Sequence, residues 1–312
     1  MATEGHSGSR KTGPHREPPW REIILFSVLA YGLSWLWWAP MVLPKLSGLS
    51  LAGRLPNLSP DAGSRLALGM FGPMVAAVLM RLFVSREGLK GSLGLLRPLR
   101  FYLIAIGAPA LFIALLILVD GMTGLGHFRW TERMPLPLAY AMAAIINGAY
   151  STPLGFAEEY GWRGYLLPRL LPMGEAKATV IVGLVWAGWH VPAIIIGLNY
   201  PGEPLWAALL VFAATAVAIA FPFTWLFLAS GRSVLVVGVM HAVLDGLGDP
   251  FTSPARMPGA SPLIAGAGGL VTAVLLLLIV GIVYGPLRRR TNVADLRKRP
   301  VARQGNFLDW IR

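Results

Sequence analysis

Long apolar runs alternate with short polar or charged stretches along most of this chain. A helix needs about 20 predominantly apolar residues to cross the hydrocarbon core of a bilayer, and eight runs reach or approach that length. The runs are 23–43, 66–84, 101–119, 138–157, 178–198, 205–229, 233–247 and 263–287. The pattern predicts an all-α, polytopic membrane protein with about eight transmembrane helices. Because the seventh run is short and carries polar groups, we expect burial among other helices to keep it as a span.

Composition and charge agree with a membrane protein and indicate its orientation. Hydrophobic residues make up 55% of the chain and charged residues only 13%, whereas an ordinary soluble domain has about 25% charged residues. A net charge of +12 would suggest a nucleic-acid partner in a soluble chain, but here the basic residues fall between apolar runs. With eight spans, 21 of the 27 Lys and Arg residues lie on the side of the two chain ends. The positive-inside rule then places both termini in the cytoplasm, and we expect no nucleic-acid partner.

The same pattern predicts one domain with two tails. Residues 1–22 are polar, lack the short apolar core of a signal peptide and are expected to form a disordered cytoplasmic tail. Residues 23–287 form a single helical membrane domain, and 288–312 form a basic cytoplasmic tail. The chain has no cysteine, which excludes disulfides, thiolate catalysis and cysteine-ligated zinc.

Ionisable residues inside or beside apolar segments are costly, so they mark candidate functional positions. The fourth run ends at Glu158 and Glu159, and Arg163 follows four residues later. On a helix, Glu159 and Arg163 share a face and can form an ion pair, whereas Glu158 points about 100° away from Glu159. One carboxylate can therefore be structural while its neighbour is left for chemistry.

Two of the five histidines lie within predicted spans, each in an i, i+4 arrangement. Trp186 precedes His190 by one turn in the fifth run, and His241 precedes Asp245 by one turn in the seventh. Residues four apart on a helix are neighbours, so Trp186 can shield the imidazole of His190 from lipid. Three separate spans thus carry polar side chains that meet only if their helices pack together.

The ordered set of a Glu-Glu-x-x-x-Arg motif, an aromatic-x-x-x-His motif and a His-x-x-x-Asp motif resembles the CPBP family (CAAX protease and bacteriocin-processing, or Abi, family). Its best-known members are the type II CAAX prenyl endopeptidases, and the resemblance covers about residues 139–248. Two positions depart from the family pattern: Trp186 stands where Phe is usual, and Asp245 stands where the prenyl proteases commonly have Asn. The second departure bears on prenyl-protein specificity.

The resemblance implies catalytic roles for Glu158, His190, His241 and Asp245. Glu158 would be the general base, His190 would hold the same water, and His241 with Asp245 would stabilise the oxyanion. The supporting residues would be Glu159, Arg163 and Trp186. No cofactor is certain, because Glu158, His190 and His241 could equally hold a divalent metal such as zinc.

The implied function is an intramembrane endopeptidase that hydrolyses a membrane-associated peptide or protein through a cavity open to the cytoplasmic half of the bilayer. The partners would be the substrate and the lipid bilayer. The location would be a plasma membrane, and the predominance of Arg over Lys among the basic residues suggests a bacterial one. Two alternatives stay open at this point. They are a non-catalytic immunity or regulatory protein on the same fold, and a proton-coupled transporter, which would usually show related halves.

Overall fold

The computed structural model describes residues 17–47, 62–94 and 97–284. These residues form helices joined by turns and loops, without a strand among them, so the predicted all-α class is confirmed. Most of the first tail and all of the second lie outside the described residues. The helices are α1 (Trp20–Ser47), α2 (Ala62–Gly69), α3 (Gly72–Leu79), α4 (Leu99–Thr123), α5 (Leu136–Met142), α6 (Gly148–Gly161), α7 (Leu167–Leu170), α8 (Glu175–Trp189), α9 (Val191–Ile195), α10 (Leu205–Ala229), α11 (Val234–Thr252) and α12 (Leu270–Ile279).

Five of the described helical segments are long and apolar enough to cross a membrane. They are Trp20–Leu46, Arg65–Val84, Leu99–Thr123, Leu205–Ala229 and Val234–Thr252. The last is α11, the short seventh run, and it is the most buried of the five, as expected of a polar helix enclosed by others. The protein is therefore a polytopic helical membrane protein, while the count of eight spans and the position of the termini stay predictions.

The remaining three apolar runs form shorter or interrupted helices. The fourth run becomes α5 and α6, with a π-helical turn at Ala143–Asn147 between them. The fifth run is divided into α8 and α9 because Pro192 lacks an N–H group and its ring would clash with the preceding turn. The eighth run becomes helical only at Leu270, after a turn in which Gly266 has a φ of +80°.

The helix that carries the two glutamates continues well beyond them. A π-helical turn at Trp162–Leu166 joins α6 to α7, so helical backbone runs on to Leu170. Glu158 lies twelve residues before that point, or ~18 Å along the axis at about 1.5 Å per residue. The predicted fourth span ends at Ala157, whereas helical backbone runs on to Leu170 and sets Glu158 deep inside the helix bundle.

Among the described helices, α6 and α11 make the most extensive contact, and glycines make their approach possible. A Cβ atom added at Gly155 would lie 2.7 Å from the carbonyl oxygen of Gly238, and one added at Gly238 would lie 2.8 Å from Cα of Phe156. Real Cβ contacts are not this short, so the backbones could not pack this closely with larger residues. Small residues at helix contacts are characteristic of membrane bundles. The crossing brings the glutamates of α6 beside the histidine of α11.

The ends of the helices define two opposite faces of the bundle. Helices α10 and α11 are joined by the short loop 230–233 and run antiparallel. We call the end that contains this loop the basic face; it also includes 85–94, 97–98 and 162–177. The other end, formed by 197–204 and 253–268, is called the distal face.

Candidate active site

Glu158 is buried in α6 and held by two tryptophans. Its Oε2 atom accepts a hydrogen bond of 2.8 Å from Nε1 of Trp186 and one of 3.3 Å from Nε1 of Trp162. Only 1% of the residue is exposed. Both bonds go to one carboxylate oxygen, so Oε1 is not engaged by them and can point into the space described below.

Glu159, the neighbouring residue, has a different environment. Its Oε1 atom lies 2.8 Å from Nη1 of Arg163, and both side chains are fully buried. The Arg163 guanidinium also lies over the rings of Trp186, at 5.4 Å, and Phe223, at 4.9 Å. A buried charge needs this kind of pairing, which agrees with the expected structural role of Glu159.

His190 occupies the break between α8 and α9 rather than the interior of a single helix. Its Nδ1 atom lies 2.9 Å from the carbonyl oxygen of Trp186. Because a carbonyl can only accept, this contact assigns the proton to Nδ1 and leaves Nε2 as an acceptor in the neutral ring. The rings of Trp186, Trp189 and Phe212 surround the imidazole at 4.7 to 5.4 Å between centroids.

His241 on α11 lies between two carboxylates. Its Nδ1 atom is 2.9 Å from Oε1 of Glu159, and its Nε2 atom is 3.4 Å from Oδ2 of Asp245. The first contact fixes the ring orientation by a strong hydrogen bond, and the second is longer. Asp245 is much more exposed, with half of its side chain accessible, so Nε2 points towards open space. With Nδ1–H donated to Glu159, His241 can donate a second hydrogen bond from Nε2 towards a bound group when the ring is an imidazolium.

The four residues assigned catalytic roles line one cavity of about 580 Å³. Glu158 and His241 lie at its inner end, and Asp245 follows one turn further along α11. Its walls include Trp186, residues of α9 and α10, and, from the N-terminal part of the chain, Trp38, Leu66 and Met70. The sequence-predicted residues on three separate helices are thus brought together around a shared space large enough for a peptide segment.

The cavity does not extend in the direction that we expected. From His241 it follows α11 through Asp245 and Asp249 to Ser253, and it reaches the loop at Pro262. None of its lining residues comes from the described part of the basic face. The expectation of a cavity open to the side of the basic loops was wrong, because the helix through Glu158 continues past the site and fills that end of the bundle.

The donor atoms of this site do not form a ready metal centre. Among residues 17–47, 62–94 and 97–284, no group of three or more His, Cys, Asp or Glu side chains is arranged to hold a metal ion. Both nitrogens of His241 already face carboxylates, and one oxygen of Glu158 is bound to tryptophans. Glu158, His190 and His241 line the same cavity and stay candidate metal ligands, and we derive no step through a metal.

Two functional contacts were not predicted from the sequence. Glu159 orients His241 across 82 positions of sequence, and Trp162 supports Glu158 from the following turn. The spacing of four between Glu158 and Trp162 could have indicated the second contact. No local signal could have indicated the first, since it depends on the packing of α6 against α11.

Comparison with known proteins agrees with this geometry. A family model described as "Type II CAAX prenyl endopeptidase Rce1-like" matches residues 136–247. The matched segment begins with α5 and ends within α11. It therefore contains all seven residues singled out from the sequence.

A curated relative points to the same family. The CAAX prenyl protease 2 of Methanococcus maripaludis is 28% identical over 93 residues, which are 28% of this chain and 34% of the relative. The chain thus spans about a third of the length of the relative that it matches. Taken with the motifs on α6, α8 and α11 and their shared cavity, these matches show that residues 136–247 are similar to type II CAAX prenyl endopeptidases.

Proposed function

We propose that this protein is an intramembrane endopeptidase that hydrolyses a peptide bond in a membrane-associated peptide or protein. The observation that carries the proposal is that Glu158, His190, His241 and Asp245 line one cavity. Peptide hydrolysis needs a base for water, a donor for the oxyanion and a proton for the leaving amine, and these four side chains offer each of them.

The reaction begins with a water molecule between Glu158 and His190. Glu158 takes a proton from the water, while Nε2 of His190 accepts a hydrogen bond from it and holds it in position. The water oxygen then bonds to the carbonyl carbon of the substrate, and the carbonyl oxygen becomes an oxyanion. Trp186 and Trp162 support Glu158 by donating to its other oxygen.

His241 stabilises the oxyanion through Nε2, and Glu159 keeps the ring in place through Nδ1. When the tetrahedral intermediate collapses, the C–N bond breaks and Glu158 returns its proton to the departing amine. The products are a carboxylic acid and an amine, and the site regains its starting protonation. Asp245 assists His241 from the cavity wall.

Purified protein in lipid vesicles, supplied with a panel of membrane-anchored peptides, tests the proposal. The conservative substitution Glu158→Gln keeps the size of the side chain and removes the base, so we expect cleavage to fall by about 10²-fold or more. His190→Ala should also lose activity. Glu132→Gln is the matched control, because Glu132 forms an exposed ion pair with Arg256 and lies outside the cavity.

Equal cleavage by Glu158→Gln and the unmodified protein would overturn the proposal. Peptide binding without cleavage by the unmodified protein would instead favour the non-catalytic regulatory protein. Proton-coupled uptake without cleavage would favour the transporter.

A further inference from the structure

The basic face of the bundle is closed by a layer of charged and aromatic side chains. Arg169 lies 2.7 Å from Glu22 and 3.0 Å from Glu87, and Arg81 lies 2.8 Å from Glu87. Arg81 also donates to the carbonyl oxygen of Gly164, 2.7 Å away. These contacts join α1, the segment after α3 and the continuation of the glutamate helix. Within the described residues, these contacts cover the end of the bundle behind Glu158, and no residue of this face lines the cavity.

The residues directly beneath Glu158 complete the closure. Trp162, Tyr165 and Leu166 have no exposed surface. Ser92, in the loop at this end, makes a hydrogen bond of 2.8 Å with the hydroxyl of Tyr160. The inner end of the cavity is consequently closed, and the loops of the basic face lie beyond it.

The cavity is open at its other end. Asp245, Asp249 and Ser253 recur every four residues and so form one face of α11 that leads from His241 to the distal face. Half of the Asp245 side chain is exposed, compared with 4% for His241. Exposed residues of the loop at Asn199 and Pro201 form part of the rim. The distance along α11 from His241 to Thr252 is ~16 Å at about 1.5 Å per residue.

By the positive-inside rule, the charge distribution predicts which side of the membrane each face occupies. The predicted loops at the basic face carry most of the Lys and Arg residues between spans, and such loops stay in the cytoplasm. The distal face is then extracytoplasmic. We infer that the substrate enters from the extracytoplasmic side, so that the scissile segment is a peptide at or near the outer surface of the membrane. The cleavage of this segment depends on the proposed function, whereas the route of access does not.

The lack of cysteine in the chain makes the route directly measurable. Each single-cysteine variant carries one reactive thiol in an otherwise thiol-free protein. Ser253→Cys probes the rim, Leu244→Cys probes the interior beside Asp245, and Lys90→Cys probes the basic face. Intact bacterial cells that express each variant are treated with a membrane-impermeant maleimide, and labelling is compared with that of the denatured protein.

We expect Ser253→Cys and Leu244→Cys to be labelled in intact cells, and Lys90→Cys only after the membrane is permeabilised. Labelling of Lys90→Cys but not Ser253→Cys in intact cells would overturn the assigned sides. Labelling of Ser253→Cys without Leu244→Cys would overturn access through the distal face. Should Leu244→Cys fail to accumulate, Asp249→Cys probes the same wall and decides the same question.

The outcome of labelling is independent of catalysis. If the cavity is labelled from outside but no peptide is cleaved in any orientation, the proposed function fails and the route of access stands. If peptides are cleaved but only when supplied at the basic face of sealed vesicles, the route fails and the proposed function stands.

Discussion

The two adjacent glutamates have different environments because successive helical residues point about 100° apart. Glu158 faces the cavity, while Glu159 is enclosed with Arg163 and reaches His241. The spacing of four predicted the contacts of Glu159 with Arg163, of Trp186 with His190 and of His241 with Asp245, and all three are present. Their catalytic roles stay predictions, since geometry alone does not measure a rate.

Replacing Arg163 with Met should destabilise the protein strongly, because it leaves the buried Glu159 carboxylate without its arginine and with His241 as its remaining partner. Breaking a buried ion pair in this way costs about 3 to 5 kcal/mol. The double variant Arg163→Met with Glu159→Gln removes both charges and should recover part of that loss. Thermal unfolding in detergent of both single variants and the double variant measures the coupling. Additive losses would show that the two side chains do not act as a pair.

Metal removal tests whether Glu158 activates water without a metal ion. Because the proposed mechanism activates water with Glu158 and His190 alone, we expect peptide cleavage to survive prolonged treatment with a strong chelator. Elemental analysis of the purified protein supplies the second measurement. Loss of activity on chelation that is restored by zinc but not by magnesium would contradict the direct Glu158 mechanism.

Helix packing decides whether these side chains meet, and here glycine matters more than any polar residue. We expect Gly238→Ala to disturb the site, because its new Cβ would lie 2.8 Å from the backbone of Phe156 on α6. Separation of α6 from α11 would lengthen the contact between Glu159 and His241. Activity should fall by at least tenfold, and the melting temperature should fall as well.

A matched control for that substitution lies on α4. A Cβ added at Gly107 would have no atom within 4 Å, and Ala is favoured over Gly in helices by roughly 0.5 to 1 kcal/mol. Gly107→Ala should therefore be neutral or slightly stabilising, with unchanged activity. Equal effects of the two substitutions would show that the change in helix propensity, rather than the close approach, is responsible.

The limits of sequence reasoning are clearest at the scale of elements. Hydropathy located α1, α4 and α10 to within a few residues, because their apolar runs are long and uniform. It missed the break at His190 and the late start of α12, since Pro192 and the glycine-rich turn act locally within an apolar run. It also ended the fourth span at Ala157, although helical backbone continues to Leu170, because tertiary burial overrides the polarity of Glu159 and Arg163.

At the scale of the whole molecule, the number of crossings is the main prediction still to be measured. Alkaline phosphatase, which is active only outside the cytoplasm, can be fused after successive loops. We expect activity for fusions after Glu132 and Glu203 and none for fusions after Ser92 or Arg312. An active fusion at the C-terminus would contradict an even number of spans with a cytoplasmic start.

The wall supplied by Trp38 on α1 and by Leu66 and Met70 near α2 has an evolutionary consequence. These residues lie outside the segment that matches the family model, yet they line the same cavity as Glu158 and His241. Under the proposed function, mutations in the first third of the chain can therefore change which peptides are accepted without altering Glu158, His190 or His241.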